Sequence, residues 1–474
     1  MQKQKLTKIV ATISDRRCDI NFIKQLYDAG MNVARINTAH AEFDATRQMI
    51  ANIRNVSKSI AILIDTKGPE IRTTEAAEGY EVTAGEYVYF LGDTEKVSEN
   101  GVIYVNFVGF EKEIPLGTKI LIDDGDIAFK AEARDEHGLK CKVLNSGKIK
   151  SHKSVNVPGV PINLPALSEK DKKFIKLAIE EDITFIAHSF VRSKEDVIAI
   201  QKILDKHNSK IKIIAKIENQ QGVDNIEEIL DHAYGIMIAR GDLGIEIEAE
   251  RIPAIQKELN KKAIEHLKPV IVATQMLHTM INNPRPTRAE VSDVANAIYD
   301  GADAVMLSGE TASGSYPVEA VMTMSKIAVE VERIKEKLKE NTHPVHVKSE
   351  ISEFLSKTAV HASVELDARC IIADSFSGTT IRNLAAYRGA KPIYAMCYNE
   401  NTVRELALSY GVYAHSVRLN RSADDFIQSS ISFVLNKGFA EIDDKVILLA
   451  GSFGKGNSAT LIEINYCSNL IKRY

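Results

Sequence analysis

The sequence predicts an α/β protein: a (β/α)8 TIM barrel with an inserted small β-barrel domain and a C-terminal α/β domain. Three observations carry that prediction. Eight short runs, apolar on both faces, alternate with helix-like sequence over the first two-thirds of the chain. Such runs read as parallel strands covered on both sides, and eight is the number that closes a barrel of this kind. The one long gap in the series, between Asp65 and Ile183, holds alternating, turn-rich sequence. After about Glu340 a separate α/β rhythm begins.

The eight runs are TKIVATI from Thr7, MNVARIN from Met31, IAILIDT from Ile60 and ITFIAHSF from Ile183, followed by IKIIAKIE from Ile211, GIMIARGD from Gly235, PVIVATQM from Pro269 and DAVMLSGE from Asp303. Ser168 and Asp171 form a capping-box signature that opens the helix KKFIKLAIEE. Between Pro69 and Pro158, stretches such as KILIDDGDIAFKAEA have the alternation of hairpins. CIIADSFSGTTIRNLAAYRGAKPIYAM and KVILLAGSFGKGNSATLIEI read as a smaller open parallel sheet. The expected domains are therefore 1–69 and 158–340 for the barrel, 70–157 for the insertion and 341–474 for the C-terminal unit.

A chain of 474 residues is too long for one core, in keeping with that division. Its 45% hydrophobic and 26% charged residues are those of an ordinary globular protein. The net charge of −4 and the absence of a basic block give no reason to expect nucleic-acid binding. The N-terminus lacks the apolar core of a signal peptide, and no run reaches membrane length, so neither secretion nor a membrane partner is expected. Five scattered cysteines without a C-x-x-C pair argue for a reducing, cytoplasmic setting and for small buried hydrophobes.

Function is sought at the C-terminal strand ends, which face the mouth of such a barrel. Those ends carry Arg35 and Asn37, Asp65, Ser189, Lys216 and Glu218, Arg240 and Asp242, Thr274, and Glu310. One charged strand end is ordinary; nearly all of them together point to a site. Strand periodicity puts Lys216 and Glu218 on one face. Glu218 and Asp242 offer two hard oxygen ligands that suit Mg2+ or Mn2+, and no Cys/His cluster favours zinc. Lys216 and Arg35 read as clamps for an anion such as a phosphoryl group. A rim ion pair is the plain alternative for Lys216–Glu218, but Arg240 and Asp242 repeat the same cation-x-carboxylate order one strand later. Gly241 has no side chain to keep a ligand from the backbone, at what reads as a helix start. Metal, acid clamp and basic residue together describe phosphoryl transfer or an enolate reaction.

IDTKGPEIRT, AKIENQQG, GIMIARGDLGIEI, ATQML and NNPRPTRAEVSDVANAIYDGADAVMLSGETASGSYPVEAV resemble the pyruvate kinase family, and the likeness runs through the whole chain. The resemblance implies transfer of phosphate from phosphoenolpyruvate to ADP, giving pyruvate and ATP. It implies that Lys216 stabilises the moving phosphoryl, that Glu218 and Asp242 hold Mg2+, and that Gly241, Asp242 and Thr274 contact the three-carbon acid. Arg35 would touch phosphate, and Asn37, Arg72 and Lys153 the nucleotide. Asn37, Asp65 and Thr66 match potassium ligands of the family. Ala39 departs from it, standing where a serine usually completes that potassium site, whereas Glu70 matches the glutamate of potassium-dependent members. A homotetramer is also expected on this likeness.

Two further motifs invite an anion. GSFGKGNSAT, from Gly451, has glycines in phosphate-loop register, but Asn457 stands where a lysine belongs, so it reads as a surface loop. Ser375, Ser377, Gly378, Thr379 and Thr380 follow a strand and open a helix, offering hydroxyls and free N–H groups. Simple capping is the alternative there. The segment matches the loop on which the family binds a phosphorylated allosteric effector. Two rival readings of the whole chain are a Mg2+-dependent enolpyruvate lyase or aldolase, which needs no nucleotide lid, and a catalytically inactive phosphometabolite sensor.

Overall fold

The computed structural model describes residues 4–39, 41–162, 164–338, 350–420, 422–451 and 459–471. Eight parallel strands, Lys8–Ile13, Val33–Asn37, Ala61–Asp65, Phe185–His188, Lys212–Ile217, Gly235–Ala239, Val270–Ala273 and Ala304–Leu307, close into a barrel, the first pairing with the last. Each falls inside one of the eight apolar runs. Alternation sorts their side chains: Ile9, Ile36, Ile62 and Ile213 pack outward against the helices. Val33, Leu63, Ala187, Ile214 and Met237 fill the barrel interior. Two residues further along, the same inward columns become Arg35, Asp65, Ser189 and Lys216, so the apolar filling gives way to charge at the mouth, while at the opposite end Lys8 and Lys212 meet Val412 and Glu405 of the C-terminal domain.

The helix Glu169–Glu180 is capped as its sequence predicts. Ser168 accepts from the Asp171 N–H, and the Asp171 carboxylate accepts from the Ser168 N–H. The insertion folds on its own core, which includes Phe90, Phe110, Phe129 and Leu139. Its six-stranded sheet runs in the order Val155–Asn156, Lys119–Ile122, Ile127–Asp135, Gly138–Val143, Tyr87–Gly92, Val102–Val105. Arg72 bridges to Ser154 at one edge and Thr73 to Val105 at the other, which closes the sheet on itself.

In the C-terminal domain, Val412–Ser416, Ile393–Cys397, Cys370–Ser375 and Lys445–Gly451 are parallel, and Ala459–Tyr466 adds an antiparallel edge. This domain seals the far end of the barrel: its Leu408 joins the barrel's interior core. Arg388 reaches from it to Asp303 at 2.6 Å, a buried ion pair in which the carboxylate also accepts the N–H groups of Val270 and Tyr410. Cys141, Cys370, Cys397 and Cys467 are buried and all five cysteines are free thiols. No helix among the described residues is long and apolar enough to cross a membrane.

Candidate functional site

The strand ends bring Arg35, Asp65, Lys216 and Glu218 into one buried cluster. Arg35 grips Asp65 with two parallel bonds, Nε to Oδ1 at 3.0 Å and Nη2 to Oδ2 at 2.6 Å. Its Nη1 donates to Thr12 Oγ1 at 3.0 Å, leaving two of its five N–H groups uncommitted to any of these partners. Lys216 Nζ stands 2.9 Å from Glu218 Oε1, 3.3 Å from Asp65 Oδ2 and 2.9 Å from Ser189 Oγ. Burial works against these charges, but Arg35 and Lys216 hold the Asp65 carboxyl below the usual carboxylate range. Burial likewise opposes the Lys216 ammonium, which Glu218 and Asp65 keep firmly charged.

Glu218 is the unsatisfied member. It is fully buried, its Oε2 accepts the Phe190 N–H at 2.7 Å, and its Oε1 has the Lys216 contact but no bond of hydrogen-bond geometry. Burial pushes its carboxyl up, Lys216 opposes, and nearby Asp242 adds to the rise. Two cations thus face three carboxylates, Asp65, Glu218 and Asp242, and one negative charge is left unbalanced. A buried oxygen short of a donor in a cluster short of positive charge fits a divalent cation, and the all-oxygen donor set suits Mg2+ or Mn2+.

Asp242 sits in the first turn of the helix Arg240–Glu246. Neither conformation nor packing demands the glycine before it: a Cβ on Gly241 would meet Thr274 at ordinary contact, 3.4 Å and beyond. Its N–H donates to Thr274 Oγ1 at 2.6 Å. Thr274 and Gln275 have φ of 69° and 56°, and a β-branched residue held left-handed is a strain that functional sites tend to store.

Two strand-end residues do not face the mouth. Arg240 turns to Asp293, with two bonds of 2.7 Å, and to the Thr274 carbonyl at 2.9 Å. The pattern it shares with Lys216 is therefore sequence order only, and its role is to brace the Asp242 and Thr274 turns. Glu310 is buried and accepts the N–H groups of Ser308 and Leu277, a structural cap.

The insertion leans over the mouth. Arg72, Lys153 and Asp242 line one cleft of about 450 Å3. Within it Lys153 pairs with Asp123 at 2.8 Å, and Arg72 with Glu70 at 2.8 Å. A second cleft of about 500 Å3 also borders Arg72 and adds Lys67 and Lys96 beside Ala39. Asn37 Oδ1 accepts the Ala39 N–H at 3.1 Å, and the Thr66 carbonyl accepts the Ser189 hydroxyl at 2.8 Å. With Asp65, these oxygens keep spare lone pairs and suit a weakly held monovalent cation, although the Lys170 ammonium already donates to the Ala39 carbonyl at 2.9 Å.

In the C-terminal domain Gly378, at φ 78°, caps the helix Thr379–Ala386 and donates to Ser375 Oγ at 2.8 Å. Ser377 and Thr379 share a 3.0 Å hydroxyl contact, and Thr380 is half-buried in the first turn. Arg382 reaches back to the Ser377 carbonyl and Thr379 Oγ1. Sequence reading missed Arg382, although its place one turn into the helix was a signal, and it missed Thr12, although it is the polar residue at the end of the first apolar run. The Gly451 loop lies outside the described residues from 452 to 458.

A buried ammonium between carboxylates, oxygen donors that suit a divalent cation and a covering β domain on a barrel fit a phosphotransferase. Residues 4–321 match the family model of the pyruvate kinase barrel domain, and residues 353–464 that of the pyruvate kinase alpha/beta domain. The chain belongs to the pyruvate kinase family. It is 46% identical to a pyruvate kinase of Borreliella burgdorferi over 99% of this chain and 98% of that one. It is 42% identical to that of Bacillus licheniformis, over 98% of this chain and 81% of the relative. The crystal structure of a pyruvate kinase from Cryptosporidium parvum superimposes with a TM-score of 0.91 at 33% identity, covering 98% and 96% of the two chains.

Proposed function

We propose that this protein transfers the phosphoryl group of phosphoenolpyruvate to ADP, giving pyruvate and ATP, as an ATP:pyruvate 2-O-phosphotransferase. The observation that carries the reading is the charge-deficient cluster around Glu218 and Lys216. Glu218 and Asp242 would hold Mg2+, which when bound supplies positive charge against the substrate's carboxylate and enolate oxygens. Lys216 donates to the phosphoryl in flight, where a preorganised ammonium in a dry site lowers the barrier. Arg35, already oriented by Asp65, turns its free N–H groups to phosphate. Gly241 and Asp242 border the three-carbon acid, and Thr274 stands near the face of the enol that takes up a proton.

Arg72, Lys153 and Asn37 serve the nucleotide; the cleft that Arg72 and Lys153 both line supports this reading for those two. Asn37, Asp65 and Thr66 hold K+. Residues 70–157 act as a lid that excludes water, with 1–69 and 158–340 as the barrel and 341–474 as the regulatory unit. The core of the insertion, whose buried members run from Ile71 to Val157, supports the limits of that part. Ser375, Ser377, Gly378, Thr379 and Thr380 receive a phosphorylated effector. We assign the enzyme to the cytoplasm, as a homotetramer with no nucleic-acid or membrane partner. The test is pyruvate formation from phosphoenolpyruvate with Mg2+ and K+, with and without ADP. Pyruvate formed only with ADP, and with matching ATP, is expected. Pyruvate without ADP would favour a lyase, and none at all an inactive sensor.

A further inference from the structure

The loops after the third and fourth barrel strands are stitched together beside Lys216. The Thr66 N–H donates to the Ala187 carbonyl at 2.9 Å and the Ser189 N–H to Thr66 Oγ1 at 3.0 Å. The Ser189 hydroxyl returns a bond to the Thr66 carbonyl at 2.8 Å. Gly68, at φ 74°, permits the approach, since a Cβ there would lie 2.9 Å from Ser189 Cβ and 3.0 Å from its carbonyl oxygen. Phe190, at φ 55°, then turns its N–H onto Glu218 Oε2.

Counting protons leaves the Ser189 hydroxyl one orientation. Ser189 Oγ has given its proton to the Thr66 carbonyl and presents only lone pairs to Lys216 Nζ, 2.9 Å away. Thr66 Oγ1 accepts the Ser189 N–H and lies in hydrogen-bond contact with His188 Nδ1 at 3.1 Å. The two carboxylates beside Lys216 attract its charge, but Coulomb attraction scarcely fixes the rotation of an ammonium. A locked lone pair does, because hydrogen bonds are directional.

We infer that Ser189 is a positioning residue for Lys216: its oriented hydroxyl fixes the ammonium so that a remaining N–H points into the barrel mouth. The inference rests on the reading of Lys216 as the cation that meets the transferring phosphoryl.

The experiment measures kcat, KM for phosphoenolpyruvate and melting temperature for wild type, Ser189→Ala, Ser189→Thr, Lys216→Met and the double variant Ser189→Ala/Lys216→Met. Ser189→Ala should lower kcat about ten- to hundredfold, the scale of one charge-assisted hydrogen bond, with KM changed by less than about threefold. Ser189→Thr keeps the hydroxyl and should recover most of the loss. In the Lys216→Met background, Ser189→Ala should cost no more than about twofold, because the group it positions is gone. A purely structural tie would cost the same in both backgrounds, and that result overturns the inference. If Ser189→Ala fails to fold, Ser189→Cys replaces it with the same expectations. Near-normal turnover of folded Lys216→Met overturns the underlying reading together with this one. Collapse of Lys216→Met beside a silent Ser189→Ala overturns the positioning role alone.

Discussion

Replacing Lys216 with methionine separates what the ammonium does for stability from what it does for chemistry. The side chain lies 2.9 Å from Glu218 and 3.3 Å from Asp65. At an effective dielectric near 20, each contact is worth roughly 5–6 kcal/mol of gross attraction, much of it offset by desolvation. Removing one member of such a buried set leaves the others uncompensated, at about 3–5 kcal/mol. Lys216→Met should therefore lose that much stability in chelator, with the cluster left at one cation against three carboxylates. Added Mg2+ supplies the missing charge, so it should raise the melting temperature of the variant more than that of wild type. Turnover should behave differently, because a metal at Glu218 and Asp242 does not stand where the ammonium stood. We expect kcat to fall at least ~10²–10³-fold, the scale of one lost preorganised electrostatic group, with a much smaller change in KM. Calorimetric melts with and without Mg2+, paired with a coupled pyruvate assay at saturating Mg2+, measure both quantities on one preparation. A folded variant with kcat within tenfold of wild type would refute the catalytic reasoning, and equal Mg2+ stabilisation of both proteins would refute the charge argument.

Glu218→Gln keeps shape but removes a charge, so activity should drop steeply and half-maximal Mg2+ should rise; superimposable Mg2+ titrations would move the metal elsewhere. Activity in tetramethylammonium buffer should be low and restored by KCl, and Ala39→Ser should lower the half-saturating K+ with little change in maximal rate. Full activity without K+ would show that this site is not used. His188 is fully buried, and burial pushes its imidazole down to about 4. Its neutral form is favoured in the native state, so the unfolded chain takes up the proton first as pH falls below 6.5. Stability is then complete above that value and lost toward pH 4, by ~3 kcal/mol for this residue. Denaturant titrations of His188→Asn between pH 4 and 6.5 should show a correspondingly flatter profile, and an unchanged slope would mean that His188 does not titrate on unfolding.

Much of this molecule is legible in its sequence, for a local reason. Runs such as IAILID and IKIIAKI are apolar on both faces, as a covered parallel strand alternating with helices requires, and the period of two then decides which side chains face inward. Arg35, Asp65, Lys216 and Glu218 could be named as a cluster because each ends such a run. The Ser168–Asp171 capping box was equally plain, since both partners lie within one helical turn. Partners could not be read in the same way, because they depend on register and loop paths that bring distant residues together. Arg240 mimics Lys216 in sequence, yet the turn it starts aims it at Asp293, and Glu310 turns back to cap two backbone N–H groups. The bridges from Arg72 and Thr73 that close the insertion, and Leu408 filling the barrel floor, join residues far apart along the chain. Ser189 could be listed as one more polar strand end, but its hold on Lys216 exists only because Gly68 lets two loops touch. Alternation along a strand chooses the face of a side chain, and tertiary packing chooses what that side chain meets there.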